Sequence, residues 1–210
     1  MKKIIFTVLG LLILTTSTVS AQDTKWKARF RVISVQPAES ATIDVIGGDV
    51  NISNTIVPEL DFTYYFNKNW AAELILGTTN HDVKAIGTAA GDIALGDVWL
   101  LPPTLTLQYH VTSMEKFEPY LGAGFNYTIF YNANSGLVAD NVGYTNSFGL
   151  ALQTGFDYDL NDKWFLNFDV KKVFLKTTAT VNATTALGAT VDAKVDINPL
   201  ILGFGFGMRF

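Results

Sequence analysis

Two histidines, His81 and His110, and no cysteine occur among the 210 residues, so acid–base or nucleophilic chemistry near neutral pH has few places to reside. His110 has Thr112 and Ser113 close in sequence, and His81 stands beside Asp82 in a stretch whose composition reads as a long loop. Neither falls in a nucleophile motif such as G-x-S-x-G, and a lone histidine more often serves as a hydrogen-bonded structural residue. The acids Asp44, Asp49, Asp92 and Asp97 are scattered, without the spacing of a cation-binding loop. A chain without cysteine has neither a thiolate metal site nor a disulfide framework. No catalytic, cofactor-binding or metal-ligating set is expected.

The chemistry that remains is ionic, and it is periodic. Arg29 and Arg31, Glu59 and Asp61, Glu73, Glu118, Asp157 and Asp159, Asp169 and Lys171, and Arg209 fall on alternate positions of segments rich in apolar residues. Alternate residues of a β-strand share one face. Strands read at roughly 25–35, 54–66, 69–78, 97–111, 117–131, 146–160, 163–179 and 193–210. The last is the clearest: Leu200, Leu202, Phe204, Phe206, Met208 and Phe210 alternate with Ile201, Gly203, Gly205, Gly207 and Arg209.

Between these strands, tight turns at 67–68, 112–116 and 161–162 alternate with long polar segments at 36–53, 79–96, 132–145 and 180–192. That bookkeeping predicts an all-β fold, an eight-stranded antiparallel transmembrane β-barrel with short periplasmic turns and four longer extracellular loops. A soluble ligand-binding barrel would reverse the faces. It would then expose Gly122, Gly124, Gly203, Gly205 and Gly207 in rows and overfill its interior with bulky apolar groups. Trp26, Trp70, Trp164, Tyr109, Tyr158 and Phe210 gather near the turn-side strand ends, where an interfacial aromatic girdle belongs. The apolar face therefore points to lipid.

With that orientation Arg29, Arg31, Glu59, Asp61, Glu73, Asp157, Asp169, Lys171 and Arg209 form a charged layer in the lumen, with Glu118 and Asp159 beside it. Ions in a narrow lumen need partners, which makes a salt-bridged plug the simplest reading of the layer. Towards the loop side the inward positions turn apolar at Ile33, Val35, Val57, Ile75, Val173 and Leu175, with Val98, Leu100 and Phe130 near them. These residues either fill the barrel mouth or line a chamber in which a small hydrophobic molecule loses its water. Pro102 and Pro103 remove two consecutive ladder donors from the fourth strand, which predicts either a bulge or a lateral opening from lumen to outer leaflet.

The other end supplies the route. Met1–Lys2–Lys3, the apolar run Ile4–Leu14 and the small residues up to Ala21 read as a signal peptide, 1–21, with the barrel at 22–210. Without Lys2 and Lys3, 13 basic residues face 19 acidic ones, a net charge of −6, and no basic cluster points to nucleic acid. A strand closing on the aromatic Phe210 resembles the last strand of a bacterial outer-membrane barrel. Phe210 is then the expected assembly signal, with the outer-membrane assembly machinery and outer-membrane lipids as expected partners.

Two internal segments, Leu101–Leu105 and Pro119–Thr128, together with the closing Gly207–Phe210, give the whole mature chain a resemblance to the OmpW/AlkL family of small outer-membrane β-barrel proteins. The resemblance implies an eight-stranded barrel in the cell outer membrane with a hydrophobic channel admitting small hydrophobic molecules, and no enzymatic activity. It places Ile75, within Asn69–Ile75, at an apolar lumen position. Lys171 stands where a relative can carry a bulky aromatic residue, and here it can pair with Asp169 or Glu73 or extend the polar plug upward. The resulting expectation is a passive conduit for small hydrophobic solutes. The alternative is a closed structural or recognition barrel acting through its outer loops as a receptor or adhesin.

Overall fold

Strict alternation of apolar and polar side chains closes the chain into a ring. A computed structural model describes residues 25–210, and the leader expected at 1–21 lies outside them. In chain order the strands are β1 (Trp26–Gln36), β2 (Ser40–Ile43), β3 (Asp49–Ile52), β4 (Thr55–Tyr65), β5 (Trp70–Gly77), β6 (Thr79–Thr88), β7 (Gly91–Leu101) and β8 (Thr104–His110). They continue as β9 (Phe117–Ser135), β10 (Asn141–Tyr144), β11 (Ser147–Asp159), β12 (Trp164–Phe174), β13 (Lys176–Ala183), β14 (Ala189–Asp196) and β15 (Leu200–Arg209). One helical turn, α1 (Thr184–Leu187), tips the β13–β14 hairpin.

Eight of these strands pair in a closed antiparallel circuit, β1–β4–β5–β8–β9–β11–β12–β15 and back to β1. The turns at one end are set by short-range chemistry. Asn67 Oδ1 accepts from the backbone N–H of Asn69 and Trp70, and Asn161 Oδ1 does the same for Lys163 and Trp164. Beside these turns Trp26, Trp70, Trp164, Tyr109, Tyr158 and Phe210 all lie exposed as one aromatic band. Leu121, Phe125, Phe148, Leu150 and Phe204 remain 57–77% exposed on the outer wall only because lipid is the solvent there.

The segments read from composition as long loops are largely paired strand. The 79–96 segment is most of the β6–β7 hairpin, 180–192 holds the tip of β13–β14, and 36–53 contributes β2 and β3. Their alternation is present in sequence, as in inward Val191, Ala193 and Val195 against outward Asp192, Lys194 and Asp196. Gly, Ala, Asn and Thr content masked it. Above the barrel, β10–β13–β14–β2 form one flap and β3–β6–β7, continuing onto the upper part of β9, form another. Their apolar faces meet through Val50, Val83, Val98, Ala179, Ala193 and Val195. Outward positions above Trp99 and Tyr131 turn polar at Asn80, Asp82, Lys84 and Asp97, so the flaps rise beyond the hydrocarbon.

An apolar chamber above an ionic floor

The lower lumen is filled by ions arranged through register. Arg29 stands directly opposite Asp61, and Arg31 opposite Glu59, on β1 and β4. Arg29 donates to both oxygens of Asp157 at 3.2 and 2.9 Å, to Asp61 at 3.0 Å and to Thr63 at 2.6 Å. Arg31 Nε donates to Glu59 at 2.9 Å and its Nη1 to Asn167 at 3.2 Å. Arg31 Nη2 also stands 2.8 Å from Asp61 Oδ2, an ion contact lacking hydrogen-bond alignment, since that oxygen is the one sealed side-chain atom without a bonded partner among the described residues. Lys27 bridges Glu118 and Asp157 at 2.7 and 2.9 Å, and Arg209 bridges Glu118 and Asp159 at 3.3 and 2.6 Å.

Five cations meet seven carboxylates in this layer, so neutral donors take the remainder. Gln108 and Gln153 each donate to Glu73 Oε2 at 2.8 Å, and Tyr120 and Gln153 donate to Asp169 at 2.8 and 2.7 Å. Lys171 pairs with Glu59 at 3.1 Å and stands 3.7 Å from Asp169. A pair with Glu73 does not form, because that carboxylate is already occupied by Arg29, Arg31 and the two glutamines. Phe165, fully buried, lies under the cationic groups of Lys27, Arg29 and Arg209 at 4.8–5.5 Å, with Arg209 at the 4.8 Å end and Arg29 at the 5.5 Å end.

Sequence reading missed Lys27, Phe165, Tyr120, Gln108, Gln153 and Asn167. For Lys27 the signal was at hand, since it shares parity with Arg29 and Arg31 on β1. Phe165 and Asn167 likewise share parity with Asp169 on β12. His110, Glu118 and Asp157 bring three ligand-type atoms within 4.8 Å of one another. The Lys27 ammonium already occupies the position between the two carboxylates, and Tyr65 Oη joins His110 and Glu118 at 3.0 and 2.8 Å. This cluster is part of the floor.

Above the floor a cavity of about 120 Å³ opens towards the flaps. Ile33, Val35, Ile75, Val173 and Leu175 line it and are buried. Val57, opposite Ile33, is half-buried and is not among the lining residues. Glu59, Lys171, Thr104, Asn126 and Thr128 meet the cavity at its base. His81 is on strand β6 rather than in a loop, buried, and lines the chamber.

The wall is interrupted at Pro102 and Pro103, which separate β7 from β8. On the β9 side the seam stays stitched, by Tyr127 N–H donating to Pro103 O at 3.0 Å and Asn126 Nδ2 donating to Pro102 O at 3.2 Å. On the other side the ladder runs up to Ile75–Thr104 and resumes at Thr79–Leu100. Among the described residues no ladder pair joins Leu76, Gly77 or Thr78 to Leu101, Pro102 or Pro103; Thr78 Oγ1 reaches Leu100 O at 3.0 Å across the interval. Gly77 and Pro102 face the chamber there, while Leu76 and Leu101 are exposed on the lipid face.

Comparison with known proteins converges on the same architecture. A family model described as the OmpW family matches residues 22–210. The uncharacterized outer-membrane protein y4mB of Sinorhizobium fredii is 43% identical over 196 residues, 93% of this chain and 84% of that protein. The dibenzothiophene metabolism operon protein PahQ of Pseudomonas aeruginosa is 32% identical, with 90% of each chain covered. Among solved structures, the outer membrane protein OprG of Pseudomonas aeruginosa is similar at a TM-score of 0.82 and 31% identity, over 89% of this chain and 96% of that one.

Proposed function

The chain belongs to the OmpW family of bacterial outer-membrane barrels, which are not enzymes, and from that premise we propose that it is a passive conduit for small hydrophobic molecules. The observation that carries the reading is the apolar chamber of about 120 Å³ standing on a closed ionic floor beside an unladdered seam. A solute enters between the flaps and exchanges water for the aliphatic wall. It meets a floor whose charges are held by one another and by neutral donors and offer an apolar molecule nothing. The remaining way out is sideways, past Gly77 and Pro102 into the outer leaflet. The move is downhill by the hydrophobic effect, and no energy source is needed. A relative named for a dibenzothiophene operon agrees with an apolar cargo.

Uptake of a labelled apolar aromatic by cells with and without the protein tests the reading, alongside Ile75→Lys and the double variant Pro102→Val/Pro103→Val. Barrel assembly is checked for each by gel mobility before and after heating. The protein accelerates uptake and both assembled variants lose that acceleration. Equal uptake in all strains would sink the conduit and turn attention to the outer flaps as a recognition surface.

A further inference from the structure

The chamber wall above the floor is apolar apart from Thr79, His81, Tyr144 and Thr177, and Thr177 already donates to Thr145 O. His81 is the exception with a defined chemistry. It is only 3% exposed, and its Nδ1 stands 2.6 Å from the backbone oxygen of Ser53, in the link between β3 and β4. A carbonyl oxygen can only accept, so Nδ1 carries the proton and Nε2 is left with a bare lone pair. Burial also holds the pKa of this ring below its ordinary value, against the opposing pull of the Ser53 bond and of Asp82 and Glu39, which keeps it neutral. Among the described residues Nε2 has no hydrogen-bond partner, and it is not among the atoms sealed inside protein. The ring that carries it lines the chamber.

A buried acceptor in an apolar wall discriminates between cargoes. A hydrocarbon that fills the chamber leaves Nε2 unpaired, whereas a molecule of the same shape with one hydroxyl satisfies it. We propose that the chamber favours small hydrophobic molecules of about the size of phenol that carry one hydroxyl, with that hydroxyl donating to His81 Nε2. The inference rests on the conduit reading and adds to it a polar anchor within the upper chamber. Cavities of roughly 150 Å³ accept a benzene ring, so a single aromatic ring suits this one.

The test uses the full barrel in lipid nanodiscs, with fluorobenzene and 4-fluorophenol followed by fluorine NMR against empty nanodiscs. Both probes bind wild type, and 4-fluorophenol binds about five- to tenfold more tightly after correction for partition into lipid. In His81→Leu that ratio falls to near one while fluorobenzene binding persists. His81→Gln, which restores a side-chain acceptor, recovers part of the preference. A preference that survives in His81→Leu, or none in wild type with both probes bound, overturns the anchor and leaves the conduit standing. Failure of both probes to bind wild type instead removes the chamber reading itself, and binding of fluorobenzene without 4-fluorophenol overturns the anchor. Nitrogen-15 shifts of His81 supply a readout independent of any variant. Nε2 is the unprotonated nitrogen and moves on adding 4-fluorophenol alone, and an Nε2–H tautomer in the free protein would overturn the proposal.

Discussion

Gly207 and Phe165 show how the floor achieves its density. They are directly opposite one another on β15 and β12, and Arg29 stands opposite Gly207 on the other side. A Cβ at Gly207 would lie 2.3 Å from the Phe165 ring and 2.9 Å from Ala28 O. One stave therefore carries no side chain where its two neighbours carry a phenyl ring and a guanidinium. Gly207→Ala is expected to destabilise the barrel by about 1–3 kcal/mol through overpacking. In a Phe165→Leu background the same change costs less, because the far end of the ring is gone and only the backbone contact persists. Urea unfolding in lipid vesicles measures the cycle, and equal costs in the two backgrounds would assign the strain to Ala28 instead. The glycine rows were legible in sequence as inward-facing. What they made room for was not, since Phe165 and Tyr120 look by residue type like lipid-facing groups. Their parity alone places them among ions.

At the scale of elements, β7 and β8 were legible as one strand with a defect. Two consecutive prolines cannot serve a ladder, and the structure interrupts both neighbouring seams to different degrees. The seam to β9 is stitched because Pro103 and Pro102 still offer carbonyls. The seam to β5 and β6 has no comparable backbone bond between Gly77 and Pro102. Gly77 is the informative position: a Cβ added there meets only ordinary contacts, the nearest 3.7 Å away at Pro58 O. Gly77→Val thus places a branched side chain at the chamber side of the seam without backbone conflict. If solutes leave laterally, this variant assembles with unchanged heat-shifted mobility and loses most of the accelerated uptake of an apolar aromatic. Leu76→Val, on the lipid face of the same strand, keeps it. Unimpaired uptake in Gly77→Val would exclude this seam as the exit. The flaps were the poorest reading at this scale. Polar, small-residue composition argued for loops, while tertiary pairing of two apolar faces, invisible to local pattern, holds them as strands.

The whole molecule separates two kinds of traffic. Outside, lipid-facing groups run from the turn-side aromatic band to Trp99 and Tyr131. Inside, the same height is divided between an ionic lower half and an apolar upper half. Both halves come from one alternating pattern, in which only the inward residue type changes along the strand: Arg29 and Arg31 give way to Ile33 and Val35 on β1, and Asp169 and Lys171 to Val173 on β12. A lumen closed by matched charges and buried rings resists water and ions, because opening it strands several charges at once. The chamber above needs no such opening. In liposomes the wild-type barrel is accordingly expected to show no stepwise ion conductance while speeding transfer of an apolar aromatic from water into the same membrane. Removing the rings that seal the floor, with Phe165→Ala and Tyr120→Ala together, should create measurable conductance and leave apolar transfer within about twofold, since the cations and carboxylates that line the gap then admit water. Conductance in the wild type, or loss of apolar transfer as conductance appears in the assembled double variant, would mean that ions and apolar solutes share one axial path. Appearance of the first without loss of the second would mean that they do not.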